Sequence, residues 1–549
     1  MNINCIAMKI FHVQFRMLMA SACLMALALG TGCGDDDGDG DDGGMNGGAA
    51  GTGGDGDGDG DGDGDGDGFA AITEVGSTVV TEANDLRGVS FAADGKIYAS
   101  GHTDADSDER KTVVARFEAD GSPDASFGED GFLVLDLVEG NEESLGVVEL
   151  SDGDVVVMVN VTDGQGGEAI ADSAATPGSD GARADGQDVV LVRLDPETGE
   201  RVDSFGDGGV ASITFGWAAE DDADWPAPTY DSSLPEGEQY SGAGFPVDTG
   251  FDLELDTSSD EDRLVVLGYG PAARTDDGEQ RYDDDRYVTR VLASDGSVDP
   301  DWNGGQAFTF GVGEGLEDDG RRGIVEADGT VVSGGYAELG DEGGNHVALI
   351  RLTPDGEPDP DFGFGGEGDG VALFNPFIDD GGMAECYGVG RQSSGRYVTT
   401  GYGSATAADS TSSYGYTTTA DRDLVVFGVL DDGLDADFGI APDGATAIQS
   451  EDLALGSAEE RGRDLVVLPD DRTVHAGRFA GAKALYVLTP DGQLDTSVGD
   501  GGLFQPPEDE VGAQFYAIAL SADGTRVAAT TNADGAGAML TVLEVEAQD

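Results

Sequence analysis

The chain has 549 residues, 27 of them basic and 111 acidic, a formal charge of −84, 91 glycines and four cysteines. Such acidity argues against nucleic acid or an anionic membrane surface as a partner, because both need clustered Lys and Arg. The length admits several domains or one large repeat array, and 38% hydrophobic residues suit a core rather than a membrane-embedded chain.

Residues 1–32 read as an export signal. Lys9 and Arg16 form a positive n-region, and Met17 to Leu29 is mostly apolar. That run is shorter than the about 20 residues that span a bilayer. It ends in LGTGC, with small residues immediately before Cys33. This resembles a bacterial lipoprotein signal. The resemblance implies cleavage before Cys33, acylation of that cysteine, and an exported protein held at the bacterial outer membrane by its lipid. Gly30 stands where that motif usually has Leu, so an ordinary secretory signal is the competing reading. With Cys5 and Cys23 lost and Cys33 acylated, Cys386 has no disulfide partner, and its apolar surroundings (AECYGV) suit a small core residue.

Residues 33–68 form the next segment. Positions 34–68 hold 13 Asp and 17 Gly and no basic residue, so the sequence predicts a disordered tether kept extended by repulsion. Its alternating Asp-Gly run meets loose calcium patterns only as any such run does.

From residue 69 to 549 the chain repeats. Seven hairpins, each of an A and a B strand, turn at Gly95, Gly153, Asp262, Gly329, Gly395, Asp471 and Gly524. Asp-Gly between alternating apolar runs is a strong hairpin signal, because both residues tolerate positive φ. Each hairpin is followed by a C strand and, in six cases, by a turn and a D strand, as in VVARFEADGSPDASFGEDGFLVLDL at 113–137. The seventh C strand, AMLTVLEV (538–545), has no D strand after it, while ITEVGSTVV (72–80) precedes the first hairpin alone. Together these make 28 strands. The expected fold is all-β: a seven-bladed β-propeller with four antiparallel strands per blade, its N-terminal strand closing the last blade. An open β-solenoid is the alternative.

The C–D unit resembles the delta-60 repeat, whose R-[FL]-x-x-D-G-S-x-D-x-S-F-G stretch is best matched from Arg116 to Gly128. Asp124, Asp203, Asp299, Asp359, Asp435 and Asp495 are read as one equivalent position, with Trp302 and Val498 replacing the usual Phe. The resemblance implies a propeller-like fold and no particular reaction. The shared Asp is read as structural, holding turn amides while the following Phe pins the turn to the blade.

Function is expected in the unrepeated segments. The long insertions 161–187, 216–250, 271–286, 311–321, 375–384 and 403–422 are all B–C or D–A connections and so share one face. The richest carries Trp217, Trp225, Tyr230 and Tyr240 among acids, a composition suited to stacking on sugar rings; the same rings equally suit folding that loop onto its own blade. Asp104, Asp106 and Asp108 alternate as in a calcium loop, which makes Ca2+ the one cofactor suggested. Glu109 stands where an EF-hand needs Gly, so a solvated acidic loop competes with that reading. His102, His346 and His475 fall in three different blades, and no nucleophile or nucleotide motif occurs in a fitting context. The expectation is a monomeric binding or structural module at the cell envelope. It would meet the membrane only through its lipid anchor, with a protein or glycan as ligand and no catalytic residue. The alternative is a calcium-assisted hydrolase or lyase acting on envelope or extracellular polymers.

Overall fold

The computed structural model describes residues 71–549 except 104–109, 139, 164–186, 214, 216–228, 231–239, 242–247, 277–278, 312–317, 340–343, 367–369, 378–381, 405–421, 440–444, 449–459, 507–512, 532–536 and 547–549. The chain folds as a seven-bladed β-propeller of antiparallel sheets. Blade one is built from Asp85–Phe91, Ile97–His102, Thr112–Phe117 and Phe132–Val134. Blade two uses Gly140–Glu149, Val155–Asp163, Gln187–Leu194 and Val210–Ile213, and blade three Thr249–Asp256, Arg263–Asp276, Glu279–Leu292 and Phe308–Phe310. Blade four comprises Asp318–Val325, Val331–Glu338, Asn345–Leu352 and Val371–Phe374. Blade five comprises Ala384–Arg391, Tyr397–Gly403 and Asp423–Leu430, with both Gly433–Leu434 and Ala445–Ile448 on the outer edge of the last. Blade six follows with Arg461–Val467, Thr473–Phe479, Ala482–Leu488 and Leu503–Phe504. Blade seven takes Phe515–Leu520, Arg526–Thr531 and Ala538–Val545 from the end of the chain, and its outermost strand, Ile72–Val80, from the start.

That last pairing closes the ring as expected. Ile72 lies opposite Val545 and Val80 opposite Ala538, so eight residue pairs join strands more than 450 positions apart. Without it, Ala538–Val545 would present a row of unpaired N–H and C=O groups. Thr78 also donates its hydroxyl to the carbonyl of Gly121 in blade one (2.7 Å), tying the closing strand to the first blade as well as the last.

The hairpin residues behave as their chemistry requires. Gly95, Gly153, Gly329, Gly395 and Gly524 all have φ between 71° and 94°, and Asp471 takes φ 65°. The C–D turns confirm the structural reading of their Asp. In blade one the Asp124 carboxylate accepts the Ser126 N–H (3.0 Å), Arg116 Nε (2.7 Å) and Lys96 Nζ (2.5 Å). Asp299, Asp359, Asp435 and Asp495 likewise each accept the N–H two residues on, at 2.9–3.1 Å, together with an arginine. That arginine comes from the C strand in Arg290 and Arg351, and from the residue just before the B strand in Arg396 and Arg472. Below each turn a ring is buried: Phe127, Phe205, Trp302, Phe362 or Phe438, with Val498 in blade six.

Asp203 does not belong to this set. The turn in blade two is one residue longer, so Val202 occupies the position of Asp124, its N–H bonded to the Arg193 carbonyl as that of Asp124 is to Arg116. Asp203 is exposed, and Arg193 finds its carboxylates on the hairpin instead, at Asp154 (2.8 Å) and Asp152 (2.5 Å). The ion pair survives with its acid relocated. Segment 271–286 is also not a loop insertion. It prolongs the B and C strands of blade three as one ladder, from Arg263 opposite Leu292 to Asp276 opposite Glu279.

Cys386 lies in the apolar core between blades four and five, fully buried with Val332, Val347 and Val425. Burial pushes its thiol up to about 12, which leaves it inert as a nucleophile. His475 is likewise packed inside its strand beside Thr473 Oγ1 (2.7 Å), and burial lowers it to about 3.

Candidate functional site

Each A strand carries a β-bulge, one extra residue set against the B strand. A bulge bends the strand and re-aims a side chain. The bulged residues are Arg87, Leu145, Phe251, Arg321, Tyr387, Arg463 and Tyr516, and all are buried. They pack against one another at the middle of the ring. The Arg321 guanidinium lies 4.5 Å from the Phe251 ring centre, 5.0 Å from Tyr336 and 4.9 Å from Tyr387. Arg463 lies over Tyr387 (4.7 Å) and Arg87 over Tyr516 (5.0 Å). Cation–π contacts of this kind gain strength where water is excluded. Asp319 completes the plug, accepting from Arg321 Nη2 (3.0 Å) and from the Tyr336 hydroxyl (2.5 Å).

One residue past each bulge is a second ring position, seven residues before the hairpin turn in six of the blades. It holds Gly88, Gly146, Asp252, Arg322, Gly388, Asp464 and Ala517. Small residues belong here because neighbouring A strands approach closely. A Cβ on Gly146 would sit 2.6 Å from that of Leu253, and one on Gly388 would sit 3.0 Å from the Asp464 Cα. Three blades depart from the small residue, and their three side chains meet. Arg322 Nη1 lies 3.2 Å from Asp252 Oδ1, and its Nε lies 3.4 Å from Asp464 Oδ2. Its Nη2 donates to the Arg87 carbonyl (2.5 Å). Asp252 also accepts the Gly323 N–H (2.9 Å), and Asp464 accepts those of Leu465 (2.8 Å) and Ile518 (3.0 Å).

This triad forms the floor of a cavity of about 810 Å³ lined by all seven A strands. Apolar side chains of Val89, Phe91, Val147, Val325, Val467 and Leu520 contribute to its walls, although polar atoms supply somewhat more of the lining than apolar ones, and it reaches the A–B turn at Glu326–Asp328. Two residues above Asp252, Glu254 is half-buried in the wall, where the other blades hold Ser90, Val148, Ile324, Gly390, Val466 and Ala519. Burial, reinforced by the charges of Asp252 and Asp464, holds the Glu254 carboxyl well above the ordinary carboxylate range. Burial raises Asp464 to about 7 despite the pull of Arg322, and raises Asp252 in the same direction. Carboxyls with displaced affinities in a concave cavity are a common mark of a binding or catalytic site.

The sequence-level candidates fare differently. Cys33, Asp104, Asp106, Asp108, Trp217 and Trp225 lie outside the described residues. Tyr230 and Tyr240 are cross-strand partners in a two-stranded ribbon, Thr229–Tyr230 with Tyr240–Ser241, in the separate unit that contains Trp225–Gly244. His102, His346 and His475 stay apart, in blades one, four and six. His102 is buried, with Nε2 3.6 Å from Asp85 and Nδ1 3.9 Å from Glu143. Among the described residues no three His, Cys, Asp or Glu side chains gather closely enough to hold a metal ion, and no helix is long and apolar enough to cross a membrane. The cavity, by contrast, opens toward the A–B turns, the face opposite the one expected to carry function. Sequence reasoning passed over Asp252, Arg322 and Asp464, although counting seven residues back from each turn exposes all but Asp252, whose turn is longer.

Two segments, 92–127 and 326–362, match the family described as a domain of unknown function (DUF5122) beta-propeller. The match supports a β-propeller family. The matched segments are equivalent parts of blades one and four, each running from the A–B turn to the buried ring of the C–D turn. Comparison with curated proteins found no match. Among solved structures the chain is similar to polysaccharide lyase Uly1, at 10% identity and a TM-score of 0.42 over 85% of this chain and 91% of that one. It is similar to the beta-propeller domain of the Trilobed protease from Pyrococcus furiosus at 8% identity and a TM-score of 0.37, covering 85% and 95%. A protein of unknown function from Dyadobacter fermentans matches at 10% identity and 0.36, covering 87% and 100%. At such identities the likenesses say nothing of activity.

Proposed function

We propose that this propeller is a binding module of the bacterial envelope, anchored through an acylated Cys33 and the 33–68 tether, that takes its ligand in the channel cavity. The observation that carries the reading is the 810 Å³ cavity, whose floor departs from the repeat only where Asp252, Arg322 and Asp464 meet. The bulged residues that pack together one position before the floor residues suit capture better than passage. The delta-60 likeness of the C–D units fits the same reading, since that repeat supplies scaffold and leaves function to unrepeated residues. The test is a ligand screen by thermal shift on the chain from residue 69 onward, repeated on Val89→Trp, which fills the cup from its wall. Ligands that stabilise the wild type and not this variant support the reading. Ligands that stabilise both equally sink it. For the anchor, Cys33→Ala should move the protein from detergent to aqueous phases and abolish labelling by a lipid precursor.

A second reading has its own support. Glu254 and Asp464, whose carboxyls burial raises above the ordinary range, could serve as acid and base on an envelope polymer. Polymer cleavage lost in Glu254→Gln would favour this enzyme, and loss on chelation would make it calcium-assisted. A calcium site at Asp104, Asp106 and Asp108 and a glycan surface at Trp217, Trp225, Tyr230 and Tyr240 remain proposals. They are tested by calcium-dependent melting above 0.15 M sodium and by glycan binding to alanine variants.

A further inference from the structure

The charges in the cup do not balance, and the imbalance points to an occupant. Seven ionisable residues line it: Asp252, Glu254, Glu326, Asp328 and Asp464 against Arg322 and Arg391. Both arginines are already engaged. Arg322 is engaged by Asp252, by the Arg87 carbonyl and, through the charge beside its Nε, by Asp464, and Arg391 pairs with Glu326 at the rim. Glu326 is further satisfied by the Tyr397 hydroxyl (2.6 Å), and Asp328 accepts the Thr330 N–H (3.0 Å). Glu254 differs from all of these. Its carboxyl has no hydrogen bond or ion pair among the described residues, and it projects where six other blades place a neutral residue.

Among the described residues an anionic ligand would find no unengaged cation at the floor and three carboxyls around it. A neutral apolar ligand would fill the walls and leave Glu254 unpaired, at the cost of burying a carboxyl without a partner. Glu254 lacks a donor, and a cation supplies one together with the opposite charge, while the apolar side chains among the lining suit a hydrocarbon body. Among the described residues no cluster fits a metal ion, which favours an ammonium or guanidinium head that one or two carboxylates can hold by charge-assisted hydrogen bonds.

Resting on the reading of the cup as a binding site, we infer that its ligand is an organic cation with an apolar body, whose head pairs with Glu254 and whose chain lies between Val89, Phe91, Val147, Val325 and Leu520. Asp464 is raised to about 7 and Glu254 stands above the ordinary carboxylate range, so a cation seated beside them favours loss of a proton from the cup.

The probes are hexylguanidinium and hexylammonium, with hexanoate and hexanol as controls, titrated calorimetrically in 0.15 M salt to screen the acidic exterior. The expected result is saturable one-to-one binding of both cations, a heat that varies with the ionisation enthalpy of the buffer, and at least tenfold weaker binding to Glu254→Gln. Glu254→Asp, which keeps the charge on a shorter stem, should recover part of the affinity. Unsaturable uptake, or cation binding unchanged in Glu254→Gln, would overturn the inference. Hexanol or hexanoate binding as tightly as the cations would overturn it too; if that binding were lost in Val89→Trp, the cup would still stand as a binding site for another ligand class. If no probe binds, and ligands found by the screen bind Val89→Trp as well as wild type, the inference and the reading it rests on fail together.

Discussion

Asp252 and Asp464 occupy the same register position in blades three and six, and the Arg322 guanidinium of blade four bridges them at 3.2 and 3.4 Å. Three strands far apart in sequence thus converge on one ion triad at the centre of the ring. Glycine or alanine at the same position in the other four blades leaves the space that these longer side chains fill.

Removing the bridge should be costly. Arg322→Met would leave two buried carboxyls without a cation, and losses of about 3–5 kcal/mol are typical when one partner of a buried pair is removed. The triple variant Asp252→Asn, Asp464→Asn, Arg322→Met should recover much of that loss, since it removes the charges together. Urea unfolding of the two proteins checks this; equal destabilisation would mean that charge is not the cause.

The pH dependence follows from the same residues. Asp464 is raised to about 7 in the folded chain from an ordinary 3.8, so between those values the folded state binds more protons than the unfolded one. Stability from this group therefore falls as pH rises from about 4 to 7 and is level above. Asp523 has the opposite sign. Hydrogen bonds from Ser521 and Thr525 lower it to about 2, so its contribution is present above about pH 4 and lost as pH falls toward 2. Melting temperature should decline from pH 4.5 to 7.5, and less steeply in Asp464→Asn. Parallel curves for the two proteins would contradict the assignment.

The turn carboxylates give a paired comparison. Asp124→Ala leaves Lys96 and Arg116 without their shared acceptor and frees the Ser126 N–H, a loss on the order of 2–3 kcal/mol. Asp203→Ala touches nothing comparable and should stay within about 0.5 kcal/mol of wild type, as surface changes generally do. Denaturation of both variants decides whether the one-residue offset in blade two is real.

Ring closure predicts an asymmetric effect of truncation. A chain beginning at Thr81 loses all eight pairs of Ile72–Val80 with Ala538–Val545 and exposes the edge of blade seven. It should melt lower and aggregate more readily than a chain beginning at Phe69. Equal melting would show that the N-terminal strand is dispensable.

The seven hairpins and the division of the last blade between the chain ends were legible because Asp-Gly turns and alternating apolar runs are local signals. So was the buried role of Cys386, set among apolar neighbours. The offset at Asp203 was not, because the motif RVDSFG looks like its siblings while one extra turn residue shifts its register. The insertions drew attention because they interrupt the repeat, yet the cavity is built from residues within it. Asp252, Arg322 and Asp464 each read as one more charge among 138 in this acidic chain. What joins them is closure of the ring, which brings strands more than 60 residues apart within ion-pairing distance. Burial then raises the carboxyls and leaves Glu254 unpaired. Local pattern determines strands and turns, whereas the tertiary ring alone decides which side chains share the axis, because desolvation and charge proximity exist only after the blades have met.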